Sequence, residues 1–199
     1  MDLIVTDFEA TCWDKADYKH NEYAELVSLQ EIIEIGCCVV DSYTCAISRR
    51  FSIIVKPVKY PILSDFCKNL TGITQDEVDC GLLFSEALHA WIGLFNPWED
   101  IFCSWGYFDK NILEKNCKLF GDTYPFATPH INIKTLVADE LFDGRSAGVR
   151  TRCNELGITF IGNQHRGLDD AVNIVAIMDQ MSRVCCESIQ GILERLGKI

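Results

Sequence analysis

Asp7 and Glu9 stand two positions apart near the start of the chain, at the end of a short apolar, β-branched run over residues 3–6. In an extended backbone side chains alternate, so residues two apart leave the same face and the two carboxylates converge. Like charges held this close resist ionisation unless a cation neutralises them, and Mg²⁺ suits such oxygen ligands because it keeps waters for phosphate partners. Taken alone, an Asp-x-Glu spacing fits equally simple roles, one acid solvated and the other capping a turn, and favours them. Asp109 follows a second strand-like run, in Cys103-Ser104-Trp105-Gly106-Tyr107-Phe108-Asp109, where its plain role is to cap the next helix. His165 lies in a polar, glycine-flanked stretch, Gly162-Asn163-Gln164-His165-Arg166-Gly167-Leu168-Asp169-Asp170. A loop can carry an imidazole that titrates near neutrality over a metal site, while Asp170 is held by the start of a helix. Asp169 is its rival and a candidate cap.

These residues need a scaffold. Apolar runs at residues 3–6, 32–40, 51–55 and 101–105 read as strands, and the stretch 13–30 carries no regular period. Apolar residues at helical spacing predict helices over 63–70, 85–95, 109–120, 134–141 and 149–156, and a long one from about 168 to 186. Early strands followed by alternating strands and helices predict an α/β fold, a mixed sheet flanked by helices. One domain over residues 1–186 is expected, with a tail at 187–199 that either extends the last helix or stands apart.

Composition narrows the function classes. With 199 residues, 48% of them hydrophobic, the chain can bury a core without disulfides or zinc. Its eleven cysteines are odd in number and lack any Cys-x-x-Cys pair, so they read as small hydrophobes in a reducing compartment, the vicinal pairs Cys37-Cys38 and Cys185-Cys186 included. No apolar run approaches the ~20 residues of a membrane span, and the first residues are acidic rather than basic, so an intracellular, cytoplasmic protein is expected. The net charge of −11 argues against a long electrostatic grip on nucleic acid.

The set Asp7-x-Glu9, Asp109 and His165-x-x-x-x-Asp170, in that order, resembles the DEDDh 3′-to-5′ exonucleases of the RNase H-like superfamily. The strings Asp7-Phe8-Glu9-Ala10-Thr11-Cys12-Trp13, Leu70-Thr71-Gly72-Ile73-Thr74-Gln75 and His165-Arg166-Gly167-Leu168-Asp169-Asp170-Ala171 are similar to the branch containing the histone-mRNA 3′-end exonuclease and its stand-alone bacterial relatives.

The resemblance implies an RNase H-like sheet and two Mg²⁺ or Mn²⁺ ions held by Asp7, Glu9, Asp109 and Asp170, with Asp7 bridging and Asp109 acting through water. It implies that His165 takes the proton of the attacking water and that nucleoside 5′-monophosphates leave from the 3′ end of single-stranded RNA or DNA. It places Glu9 and the backbone at Ala10 at the terminal 3′-hydroxyl, and Ile73 against the last bases, where a core position is an even alternative. Phe8, Trp13 and Trp105 are lesser stacking candidates. Arg145, Arg150, Arg152 and Arg166 are candidates for a phosphate track, with a solvated helix face as the alternative. A DNA-directed exonuclease and a non-catalytic scaffold remain competing readings, and the oligomeric state is not encoded in these motifs.

Overall fold

The computed structural model describes residues 1–199. Five strands, β1 (Asp2–Ala10), β2 (Ile32–Asp41), β3 (Ile47–Ile54), β4 (Ile101–Ser104) and β5 (Ile131–Asn132), form one sheet in the order β3-β2-β1-β4-β5. The first three pair antiparallel, while β4 lies parallel to β1 and β5 parallel to β4. Helices α1 (His20–Ser28), α2 (Asp65–Thr71), α3 (Gln75–Asp79), α4 (Phe84–Ile92), α5 (Phe108–Phe120), α6 (Ile133–Leu141), α7 (Val149–Glu155), α8 (Gly167–Cys185) and α9 (Ile189–Arg195) surround it. No helix is long and apolar enough to cross a membrane.

Strand alternation decides which way the acids of β1 face. Leu3 and Val5 pack into a cluster shared with α6, α8 and α9, whereas Ile4 and Phe8 pack with α4 and α5 on the opposite face. Asp7 and Glu9 continue the parity of Leu3 and Val5, so they emerge on the face that α8 covers. Strand β2 is buried along nearly its whole length, which explains why it reads as a continuous apolar run rather than an alternating one.

The structure adds α3 and the two-residue β5, which the sequence reading does not contain, and departs from that reading or decides between its alternatives at three further places. Residues 13–30 contain a 3-10 turn (Lys15–Asp17) and α1, neither of which buries a residue, so no apolar stripe marks them. Strand β3 begins at Ile47 because Ser48, Arg49 and Arg50 are exposed on the sheet edge, where polar side chains are tolerated. The tail forms α9, separated from α8 by Cys186 in a left-handed conformation (φ 52°). Ser188 caps it and Ile189, Ile192 and Leu193 are fully buried in the α8 cluster. Cys37 and Cys38 are buried as expected of packing groups, but Cys186 is exposed at that left-handed corner.

Candidate active site

Asp7, Glu9, Asp109, His165 and Asp170 line one cavity of about 290 Å³ at the end of β1. Three elements and one loop deliver them. The strand carries the first two, and the first turn of α5 carries Asp109, whose Oδ1 accepts the Phe8 backbone N–H at 2.9 Å across 101 residues of sequence. Asp170 lies in the first turn of α8, and its Oδ2 accepts the backbone N–H of His165 at 2.7 Å. This bond folds the loop back so that His165, at φ 64°, faces the acids. Such a backbone is uncommon outside glycine and persists where its surroundings over-determine it. Donor atoms of Glu9, His165 and Asp170 lie within 4.8 Å of one another.

Burial and mutual repulsion shift all four carboxylates of the site upward. Burial, then the neighbouring Asp109, Glu9 and Asp170, pushes the Asp7 carboxyl well above the carboxylate range. Burial and Asp170 push Glu9 up to about 8. Burial lifts Asp109 to about 6 against the bonds it receives from Phe8 and Ser104, and lifts Asp170 against its bond from His165. Four converging carboxylates that repel one another are a donor set for hard divalent cations, so the residues present fit Mg²⁺ or Mn²⁺.

These shifts fix the sign of a pH effect. A carboxyl whose pKa is raised on folding destabilises the fold not at all below its unfolded value near 4, progressively as pH rises, and fully above the folded value. In chelator the melting temperature is therefore expected to fall between pH 5 and pH 8, by roughly 5–10 °C at about 2–4 °C per kcal/mol for this size. Millimolar Mg²⁺ should restore it at pH 8. Scanning calorimetry checks this; a flat chelator profile would count against the uncompensated cluster.

The other anticipated residues fall into two groups. Trp105 lines the cavity, with its indole N–H donating to the Ala147 carbonyl at 3.0 Å. Phe8 also borders it, yet its ring is buried edge-on against Trp91, so it packs rather than offering a stacking face. Ala10 is buried at the strand end beside a register shift, its carbonyl accepting the Cys67 thiol. Ile73 is fully buried with Ile33, Leu63, Cys67 and Val78, which corrects the base-wedge expectation: it has no surface to offer a base. Trp13 is likewise buried, against Tyr60.

The arginine track does not survive intact. Arg152 is fully buried, paired to Glu155 and stacked 3.5 Å over Phe142, so it is a structural group. Arg145 pairs with the same glutamate. Arg166 is held by Glu34 and Glu77, at 3.2 and 3.7 Å, leaving its charge compensated. Arg150, bonded to the neutral Gln164 beside His165, is the one of the four that keeps its charge toward the loop. Asp169 caps no helix; it accepts the Asn163 N–H and braces the loop.

Glu34 is the chief residue that the motif reading missed. It is almost wholly buried, accepts the Gly167 N–H at 3.0 Å and so caps α8 from β2, and also bonds Ser52 and Arg166. An acid in the middle of the run Ile32-Ile33-Glu34-Ile35 was its signal.

A mixed sheet with acids grouped at one strand end and a helix start pressed onto them defines an RNase H-like nuclease domain. Residues 4–178 match the model of the Exonuclease family (RNase_T), and the chain belongs to that family. Human ERI1 exoribonuclease 2 is 31% identical over 99% of this chain, which spans only 30% of that protein. The probable 3′-5′ exonuclease KapD of Bacillus subtilis is 29% identical over 85% of this chain and 79% of its own length. Among solved structures, the nuclease domain of 3′hExo, a DEDDh family member bound to rAMP, superposes with a TM-score of 0.80 at 30% identity, covering 94% of each chain.

Proposed function

We propose that this chain is a divalent-metal-dependent 3′-5′ exonuclease that releases nucleoside 5′-monophosphates from single-stranded RNA, with single-stranded DNA as a slower substrate. The observation that carries this reading is the convergence of Asp7, Glu9, Asp109, Asp170 and His165 on one cavity from a strand, two helices and the loop before α8. Family membership and the rAMP held by a structurally similar nuclease domain support it.

Asp7, Glu9, Asp109 and Asp170 would hold the cations, two Mg²⁺ or Mn²⁺ ions. When bound, these supply positive charge to the scissile phosphate and its attacking and leaving oxygens. The chain's own groups do the rest. His165 accepts the proton of the attacking water as the new P–O bond forms, while the bond from phosphorus to the 3′-oxygen of the preceding nucleotide breaks and that oxygen is protonated from solvent. Glu9 and the backbone at Ala10 receive the terminal 3′-hydroxyl, and the apolar walls at Trp105 and Phe108 flank the last nucleotide. The acidic surface, with Arg150 the remaining cation near the loop, favours a short footprint and distributive action.

The test uses 5′-labelled single-stranded RNA and the matching DNA with Mg²⁺, Mn²⁺ or chelator. A metal-dependent ladder shortening from the 3′ end, faster on RNA, is expected. Faster shortening of DNA would reassign the substrate, and intact strands with metal present would return the chain to a scaffold role.

A further inference from the structure

A buried acid of the sheet grips the loop that carries His165. Glu34 of β2 stands opposite Glu9 across the β1–β2 ladder, on the face that α8 covers, and is 1% exposed. Its Oε1 accepts the Ser52 hydroxyl at 2.9 Å and a terminal N–H of Arg166 at 3.3 Å. Its Oε2 accepts the Arg166 Nε–H at 3.2 Å and the Gly167 backbone N–H at 3.0 Å. Arg166 and Gly167 are the two residues that follow His165. The remaining arm of the guanidinium faces Glu77 of α3 at 3.7 Å, a carboxylate itself fixed by the Thr74 N–H and hydroxyl.

Only an ionised carboxylate satisfies all four donors, because it accepts at both oxygens. An amide in its place would turn its NH₂ group toward two of them and set donor against donor in a buried site. The two-point pairing with Arg166 also compensates the charge of Glu34, so that it does not act beside Glu9 as another free carboxylate. Arg166 makes no side-chain cap of its own on α8, so the orphan N–H of Gly167 relies on Glu34. His165, for its part, is held through its backbone N–H on Asp170 rather than through its imidazole. The ring therefore goes where the backbone, at φ 64°, aims it.

We infer that Glu34 is a positioning residue for the reaction: by gripping the Arg166 side chain and the Gly167 N–H together, it holds the left-handed turn at His165 and hence the point from which the imidazole meets the attacking water. The inference rests on the metal-dependent hydrolysis proposed above. Glu34 itself touches neither substrate nor the attacking water. With the grip released, the helix start stays seated by the close contact of Gly36 and Gly167. The turn at His165 is then free to relax toward the commoner negative-φ region, which swings the imidazole away from the acids.

The experiment compares the wild-type chain with Glu34→Gln, Arg166→Met and the Glu34→Gln/Arg166→Met pair, at a temperature where thermal melts show each to be folded. Readouts are kcat and KM on 5′-labelled RNA with Mg²⁺, and hydrogen exchange of the His165 amide by NMR in the same buffer. Each single variant should lose about 10-fold or more in kcat, the usual size of an outer-partner effect, with the oligonucleotide KM little changed. The His165 amide should exchange about 10-fold faster in each, the scale of one lost charge-assisted hydrogen bond. The pair should be no slower than the slower single variant, because both changes open one grip. In the pair the glutamine can accept from Gly167 and donate to Ser52 with no buried charge left unmatched, so it keeps the test decisive where a single variant does not fold. Wild-type kcat in the folded variants, additive losses in the pair, or an unchanged His165 amide would overturn the inference. So would a raised KM with kcat intact, which would make Arg166 a substrate contact. A wild-type chain that does not cleave would instead overturn the hydrolysis reading, and the amide exchange would still decide whether Glu34 holds the turn.

Discussion

Asp7→Asn is expected to slow 3′-end shortening by about 10³-fold or more, the scale of several kcal/mol of lost transition-state stabilisation, with the fold retained. Asp7 lies on the α8-facing side of β1, where burial first, and then the neighbouring Asp109, Glu9 and Asp170, raise its pKa. Asparagine keeps the shape and one oxygen but cannot carry the charge that holds a cation. The same loss of charge relieves the metal-free fold. At pH 8 in chelator the variant should therefore melt above the wild-type chain, and Mg²⁺ should raise its melting temperature less. Single-turnover kinetics and paired thermal melts check both halves. Activity within about 10-fold of wild type would remove Asp7 from the centre of the chemistry.

Gly36→Ala is expected to damage fold and site together. Gly36 pairs with Asp7 across β1 and β2, and a Cβ there would lie 1.9 Å from the Gly167 carbonyl carbon and 2.0 Å from the Leu168 nitrogen. Both are backbone atoms at the start of α8, so no side chain can swing aside. Gly167 is packed as tightly in return, its own Cβ position lying 2.6 Å from the Asp7 carbonyl oxygen. Two facing glycines thus let the helix that carries Asp170 rest directly on the strand that carries Asp7. A methyl group must lift α8, at an overpacking cost of about 3 kcal/mol, or roughly 6–12 °C in melting temperature. Activity should fall further than stability, because the lift separates Asp170 and His165 from the acids of β1. A variant that melts within about 2 °C of wild type and retains full activity would show that the contact is not required.

How legible the site was depended on whether a residue's partner is local. The facing of Asp7 and Glu9 follows from strand parity, which the neighbouring Leu3 and Val5 already display. Asp109, His165 and Asp170 were placed by motif order rather than by physics, since nothing local says that a helix start 101 residues away donates an oxygen to the Phe8 N–H. Glu34 shows the limit: its partners Arg166 and Gly167 lie more than 130 residues along the chain, so its burial was invisible except as an acid in an apolar run. Arg152 misled for the same reason, because a cluster of arginines in sequence does not reveal that one of them is wholly buried on Phe142. Ile73 was open between core and contact, and packing with Ile33 and Val78 places it in the core. The helices with an apolar stripe were readable; α1, which buries nothing, was not.

Hydrolysis by water at the 3′-terminal phosphodiester is tested most directly by digesting single-stranded RNA in H₂¹⁸O with Mn²⁺ and weighing the released nucleotide. The expected product is a nucleoside 5′-monophosphate carrying one ¹⁸O, absent with Asp7→Asn and with His165→Ala. Nucleoside 2′,3′-cyclic phosphates or 3′-phosphates, or an unlabelled product, would contradict attack by a water whose proton His165 accepts.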